Sequence, residues 1–267
     1  VRAGVSIRSY GIFTGSPELL PNLENNICTK YPDYNLSIKD SLRFEIWKTD
    51  FDSMLAIDKV PRLNLVRMGN DHTAGARLGM PTTSAMVADN DLAVGMFVEH
   101  LSNSPIWKES VVFILEDDAQ NGSDHVDAHR STAYIAGGFV KRNYVDHTAY
   151  STSGVLRTIE LILGLPPMSQ FDAGATPLFR SFSQKYDSKG FTKRKNQIDL
   201  NEMNVEFNKN AAISATMDFS KPDLIDDMEL NRIVWQSVKG LNSVMPAPIR
   251  SAFLRFSDSD EDEENDH

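Results

Sequence analysis

Apolar positions fall into short runs separated by polar breaks, and the spacing within each run predicts an element. Leu63, Leu65 and Val66 form a brief apolar run that stops at Gly69 and Asn70, which predicts a strand followed by a loop. Val94, Phe97, Val98 and Leu101 recur at i, i+3, i+4 and i+7, the spacing of one helix face, and "SNSP" closes that segment. "VVFIL" at 111–115 is a continuous β-rich run of the kind expected of a strand covered on both faces. "STAYIAGGF" predicts another strand. "YSTSGVLRTIELILGLPP" predicts a helix with Ser151 or Ser153 as cap, a face of Val155, Ile159, Ile162 and Leu163, and a stop at Gly164 and the following prolines. A last amphipathic helix is expected over "DDMELNRIVWQSVKG", with Leu230, Ile233, Val234 and Val238 on one side. The first sixty residues read as irregular apart from a strand near Val5 to Tyr10, and "SQKYDSKGFTKRKNQ" reads as loop.

Alternation of strands with helices implies an α/β fold, a mainly parallel sheet flanked by helices. One domain over 1–255 is expected, with an acidic, disordered tail at 256–267. The 267-residue chain is long enough to bury a sizeable core. Its formal charge of -10 comes mostly from the seven acids among residues 258–267, so the body is nearly balanced and offers no basic nucleic-acid footprint. No apolar stretch approaches the roughly 20 residues needed to span a bilayer. Cys28 is the only cysteine, so no intrachain disulfide can form and the compartment is not readable from cysteine usage. Val1 is preceded by neither an initiator Met nor a leader-like segment, which suggests a processed or truncated N-terminus, truncation being favoured.

Candidate chemistry concentrates in "FILEDDAQNGSDHVDAHR" and in Asp-His doublets. Three of the five histidines that precede the acidic tail directly follow an aspartate: Asp71-His72, Asp124-His125 and Asp146-His147. Imidazole nitrogen and carboxylate oxygen are ligands of zinc and other borderline cations, so converging pairs would form a mixed N/O metal site. Glu116, Asp117 and Asp118 follow a strand-like run, as Asp71 does, and ligands of open α/β sheets bind beyond the carboxyl ends of strands. Burying three adjacent acids costs several kcal/mol per ion, a penalty that a divalent cation removes; a solvated acidic loop is the plainer alternative. A calcium hand over 117–128 fails, because Ala119 and Ala128 stand where ligands are required. There is no G-x-S-x-G elbow and no P-loop. His100, inside a helix, reads as a surface or core-edge residue.

"NDHTAG", the long stretch from "PTTSAMVADNDLAVG" through "EDDAQNGSDHVDAHRSTAYI", and "VDHTAYSTSGVLRTIELILGLPPMSQFDAGATPLF" resemble the phosphoesterase family of the alkaline phosphatase superfamily, which includes phospholipases C and acid phosphatases. The resemblance covers nearly the whole chain and implies a two-metal hydrolase of phosphate esters. Its divalent ions would be zinc, manganese or calcium, held by Asp71, His72, Asp117, Asp118 and His147, with Glu116, Asp124, His125 and His129 around the ligands or the substrate. The family's nucleophile and remaining ligands lie in an upstream segment like "ENRTYD", which this sequence lacks, and Ile12 stands where relatives carry Glu. The resemblance therefore implies the C-terminal portion of a larger enzyme, inactive by itself, whose other half is often joined to a β-propeller and whose relatives are frequently exported. The alternative is a non-catalytic module that retains a metal for binding or scaffolding.

Overall fold

A computed structural model describes residues 3–12, 23–116, 130–221 and 224–247. The chain is mixed α/β. Its elements run β1 (Ile7–Tyr10), α1 (Asp40–Leu55), β2 (Leu63–Val66), α2 (Thr83–Ser102), β3 (Val111–Leu115), β4 (Ala133–Gly137), α3 (Thr152–Leu163), α4 (Gln170–Ala173), α5 (Lys209–Thr216) and α6 (Asp227–Lys239). The described residues divide into two compact units. One draws on Val1–Thr73, Ala85–Ile114 and Tyr134–Asn201, the other on Ala74–Ser84, Leu115–Ala133 and Glu202–His267.

In the first unit β1 and β2 pair in parallel, Ile7 opposite Leu63 and Tyr10 opposite Val66. Parallel neighbours need a crossover of helix length, and α1 supplies it. Beneath this pair lies a core of Tyr10, Cys28, Tyr31, Phe44, Trp47, Phe51, Leu101 and Trp107. Trp47 stacks on Phe51 at 4.7 Å between ring centroids and meets Phe97 of α2 at 3.7 Å, so aromatic contacts join α1 to α2. At the strand edge the Asp50 carboxylate of α1 takes both ends of the Arg8 guanidinium at 2.9 Å and the Tyr10 hydroxyl at 2.9 Å.

Among the described residues the parallel strand pair is β1 and β2, with a single further parallel bridge between Ser9 and Ile27. β3 pairs with β4 in a separate two-stranded sheet. A Cβ on Gly137 would lie 3.5 Å from Val111 Cα, while the Glu116 amide donates to the Thr132 carbonyl at 3.4 Å. Rising numbers on one strand thus meet falling numbers on the other, and the pair is antiparallel. β3 is half-buried rather than covered on both faces, with Leu115 exposed.

The α1 helix stands in a region whose sequence reads as irregular. Phe44, Trp47 and Phe51 do share a face, but that face also buries Asp40 and Arg43 while Leu42 faces outward, so the apolar stripe is broken. On α3, Ser151 caps the first turn by accepting from the Gly154 amide and Gly164 closes the last turn at φ 70°. The anticipated face is only partly the buried one: Val155 is buried, Ile162 is exposed, and Glu160 occupies an interior position. On α6, Asp226 caps the start, Leu230 and Ile233 are buried, and Val238 is exposed.

The second unit gathers around α5 and α6. The Ser214 hydroxyl accepts from the Ala76 amide at 3.0 Å, and Asn204 Nδ2 donates to the carbonyls of Gly75, Arg77 and Pro81 at 3.3, 3.2 and 3.1 Å. Gly75 has φ +56°, and a Cβ there would sit 2.9 Å from Ser214 Oγ, so both conformation and space require glycine. The anticipated tail at 256–267 lies outside the described residues.

Candidate functional site

Beyond β2 the chain turns through a 3-10 turn, Asn70–His72, that carries the first Asp-His doublet. Three polar residues from two helices, Asp40 of α1 and Asp89 and Asn90 of α2, fix it. Asp89 of α2 is 1% exposed and lies between Ala85 and Ala93 on the buried face. Its Oδ2 accepts from the backbone N–H of Asp40 at 2.6 Å, of Ser41 at 3.3 Å, and from Asn70 Nδ2 at 3.3 Å; its Oδ1 accepts from the Ser41 hydroxyl at 2.6 Å. The first turn of α1, where Lys39 gives no side-chain cap, is therefore capped from another helix.

Asp40 repeats the arrangement one step closer to the doublet. Its carboxylate accepts from the amides of Gly69 at 3.2 Å and Asn70 at 2.8 Å, and from Asn90 Nδ2 at 3.0 Å, with Arg43 Nε at 3.3 Å. Burial pushes this carboxyl above the usual range, against the opposing pull of the Asn70 amide, Asn90, the Gly69 amide and the Arg43 charge. Asn90 Nδ2 also reaches Asp71 Oδ1 at 3.5 Å, so one amide touches both the buried carboxylate and the exposed one.

Asp71 faces solvent and His72 is half-buried, edge-on to the Tyr34 ring at 5.7 Å. His72 Nδ1 lies 3.3 Å from the Thr73 carbonyl. A proton held there by Nδ1 makes Nε2 the basic nitrogen, the tautomer that metal-binding imidazoles use. Thr73 itself is buried at φ 60°, ψ 172°, a region that favours glycine and costs a side-chain-bearing residue about 1–3 kcal/mol. Backbone strain of this kind clusters at binding and catalytic sites. The Oδ1 of Asn70, 3% exposed, accepts no hydrogen bond among the described residues.

The other candidates lie elsewhere. Glu116 follows β3, is exposed, and takes the Thr132 hydroxyl at 3.3 Å. His147 is exposed on the loop before α3. Its neighbour Asp146 accepts from the Thr148 amide at 3.1 Å, the Tyr150 hydroxyl at 3.0 Å and the Ser181 hydroxyl at 3.3 Å. These bonds, with the Thr148 hydroxyl, outweigh partial burial and hold the Asp146 carboxyl below the usual range. Asp117, Asp118, Asp124, His125 and His129 lie outside the described residues. Among the described residues no three of His, Cys, Asp and Glu come together as a metal-holding group, so the structure does not join His147 to Asp71 and His72. His100 is a core-edge residue: Nε2 meets Asp52 Oδ1 at 2.6 Å and the ring lies edge-on to Phe44, Trp47 and Phe51.

Comparison with known proteins gives no match to any protein-family model, curated protein or solved structure.

The donors present suit a divalent cation in kind: a carboxylate, an imidazole and an uncommitted amide oxygen within Asn70–His72. Only the carboxylate and the imidazole are of the kinds zinc takes, two where zinc uses three or four protein ligands. Asp40, Asp89 and Asn90 are the site residues that sequence reasoning missed. A signal existed in "ADND", because Asp and Asn are poor choices for a helix interior unless their side chains have a partner.

Proposed function

We propose that the chain is the distal part of a metal-dependent phosphoesterase with an alkaline-phosphatase-like fold. Asp71 and His72 would be ligands, joined by Asp117, Asp118 and His147, with a Ser or Thr nucleophile supplied from upstream. The observation that carries this reading is the placement of Asp71 and His72 just past the carboxyl end of a parallel strand. The buried Asp40 carboxylate clamps the backbone beside them, next to a strained, buried Thr73. A bound divalent ion would supply Lewis-acid stabilisation of phosphoryl charge. Asp40 and Asn90 contribute by fixing the loop before a cation arrives, which lowers the ordering cost of binding.

Zinc or manganese content by mass spectrometry, after equilibration and gel filtration, tests the reading. The expected result is retained metal that falls at least tenfold in His72→Ala. Hydrolysis of p-nitrophenyl phosphate by the chain extended at its N-terminus is the second arm. No retained metal together with no hydrolysis in zinc, manganese or calcium would remove the proposal.

A further inference from the structure

Beside the doublet, the carboxyl ends of β1 and β2 border a shallow hollow that opens to solvent. Gly11, Tyr34, Asn35, Arg43, Arg67 and Gly69 are among its walls, and Asp33 is the acid that lines it. The two arginines differ in what they do. Arg43 is spent on structure: its guanidinium donates to the carbonyls of Pro32 at 2.6 Å, Asp33 at 2.9 Å and Asn35 at 3.1 Å, and so shapes the wall formed by residues 32–36. Asp33 likewise accepts from the Tyr34 amide at 2.8 Å.

Arg67 is different. It is half-buried, its guanidinium carbon lies 5.4 Å from the Tyr34 ring centroid, and among the described residues the guanidinium makes no hydrogen bond or ion pair. Its backbone is pinned on both sides, the amide donating to the Tyr10 carbonyl at 2.9 Å and the carbonyl accepting from the Tyr31 hydroxyl at 2.7 Å. Gly11 turns the chain at this edge with φ +78°, and a Cβ there would come within 3.1 Å of the Tyr31 ring. The Tyr34 ring that carries Arg67 on its face also meets His72, so the guanidinium and the doublet share one aromatic neighbour.

We infer that Arg67 and the hollow bind a small oxyanion of the phosphoryl type. A guanidinium offers five N–H donors in a planar fork that matches two oxygens of such a group, and stacking on Tyr34 orients the fork without using any donor. The inference goes beyond the metal-site reading, because oxyanion binding needs neither a cation nor a nucleophile.

Inorganic phosphate titrated into the ¹⁵N-labelled 267-residue chain in EDTA tests it. The amides of Gly11, Arg67 and Gly69 and the Arg67 Nε–H resonance are expected to shift together, and affinity is expected to fall at least tenfold in Arg67→Gln and less in Arg67→Lys. Tyr34→Leu, which keeps the charge and removes the platform, is expected to weaken binding several-fold. Phenylphosphonate binding as tightly as phosphate supports an ester ligand, and tighter binding of phosphate supports the free anion. Acetate binding as tightly as either overturns the phosphoryl assignment. Phosphate that moves none of these resonances, or that binds a folded Arg67→Gln unchanged, overturns the whole inference. Metal and turnover play no part in this titration. Phosphate binding in a chain that retains no metal would leave the inference standing and remove the proposed activity, and the converse result would do the reverse.

Discussion

Replacing Asp89 by alanine should cost about 3 kcal/mol, and the structure shows where that comes from. The carboxylate is almost fully enclosed and accepts four hydrogen bonds, two of them from the interior donors Asp40 N–H and Asn70 Nδ2. Each interior donor left without an acceptor costs about 1–3 kcal/mol, and the lost cap on α1 is part of that cost rather than an addition to it. Two effects reduce the total. The Ser41 hydroxyl can turn to water, and removing one of two neighbouring buried carboxylates relieves repulsion at Asp40. Asp89→Asn keeps the shape and one acceptor oxygen, so about 1–2 kcal/mol is expected there. Urea unfolding with an unchanged slope is the assay. With a slope of about 1–3 kcal/mol per molar, the alanine midpoint should fall by about 1–3 M. An alanine variant within about 0.5 kcal/mol of the parent, the range of ordinary surface substitutions, would refute the claim that α2 caps α1.

Phe51→Ala should lose about 3–5 kcal/mol in the same assay, since its ring is 2% exposed and stacked on Trp47. Gly154→Ala should destabilise by about 1–3 kcal/mol, because its Cβ would sit 2.6 Å from the Thr176 carbonyl oxygen, a backbone atom that cannot swing aside. Asp172 gives a pH signature. The Ser169 hydroxyl, opposed by burial and helped by the Met168 amide, lowers this carboxyl from 3.8 to about 2. A folded value below the unfolded one stabilises the protein above about pH 4, and that contribution disappears as pH falls towards 2. The stability gap between the parent and Asp172→Asn should therefore close over that interval in acid-unfolding curves; a gap that stays constant down to pH 2 counts against the assignment.

What was legible in the sequence follows from which residues face which partners. β2, α2, β4 and α3 were readable because their apolar spacing is set locally, and the break at Gly69 and Asn70 located the loop that carries Asp71 and His72. α1 was hidden because its buried face includes a carboxylate and a guanidinium. These are interior only because Asn70, Asn90 and the 32–35 carbonyls, all outside the helix, satisfy them. Glu160 misled in the same way on α3, where Arg157 pairs with it at 3.2 Å on the buried side. The expectation of a parallel sheet held for β1 and β2, whose connection contains a helix, and not for β3 and β4. A continuous apolar run suits a strand covered on both faces, but β3 is half-buried and its run did not fix the direction of its partner.

The repeated Asp-His dipeptide shows most directly why spacing alone could not assign roles. At 146–147 the aspartate is the structural member: its oxygens are taken by Thr148, Tyr150 and Ser181, and the histidine is displayed to solvent. At 71–72 the order reverses, with the aspartate exposed and the imidazole set against Tyr34 and the Thr73 carbonyl. The same two letters thus present opposite members to the surface, and neighbours elsewhere in the chain decide which. This changes how the doublets can be interrogated. Truncating Asp146 would release the donors of Thr148, Tyr150 and Ser181 that shape the loop, so a loss of ligand binding there would report on folding rather than on coordination. His147→Ala removes an exposed side chain, and a change in metal or anion affinity there would report on the site itself.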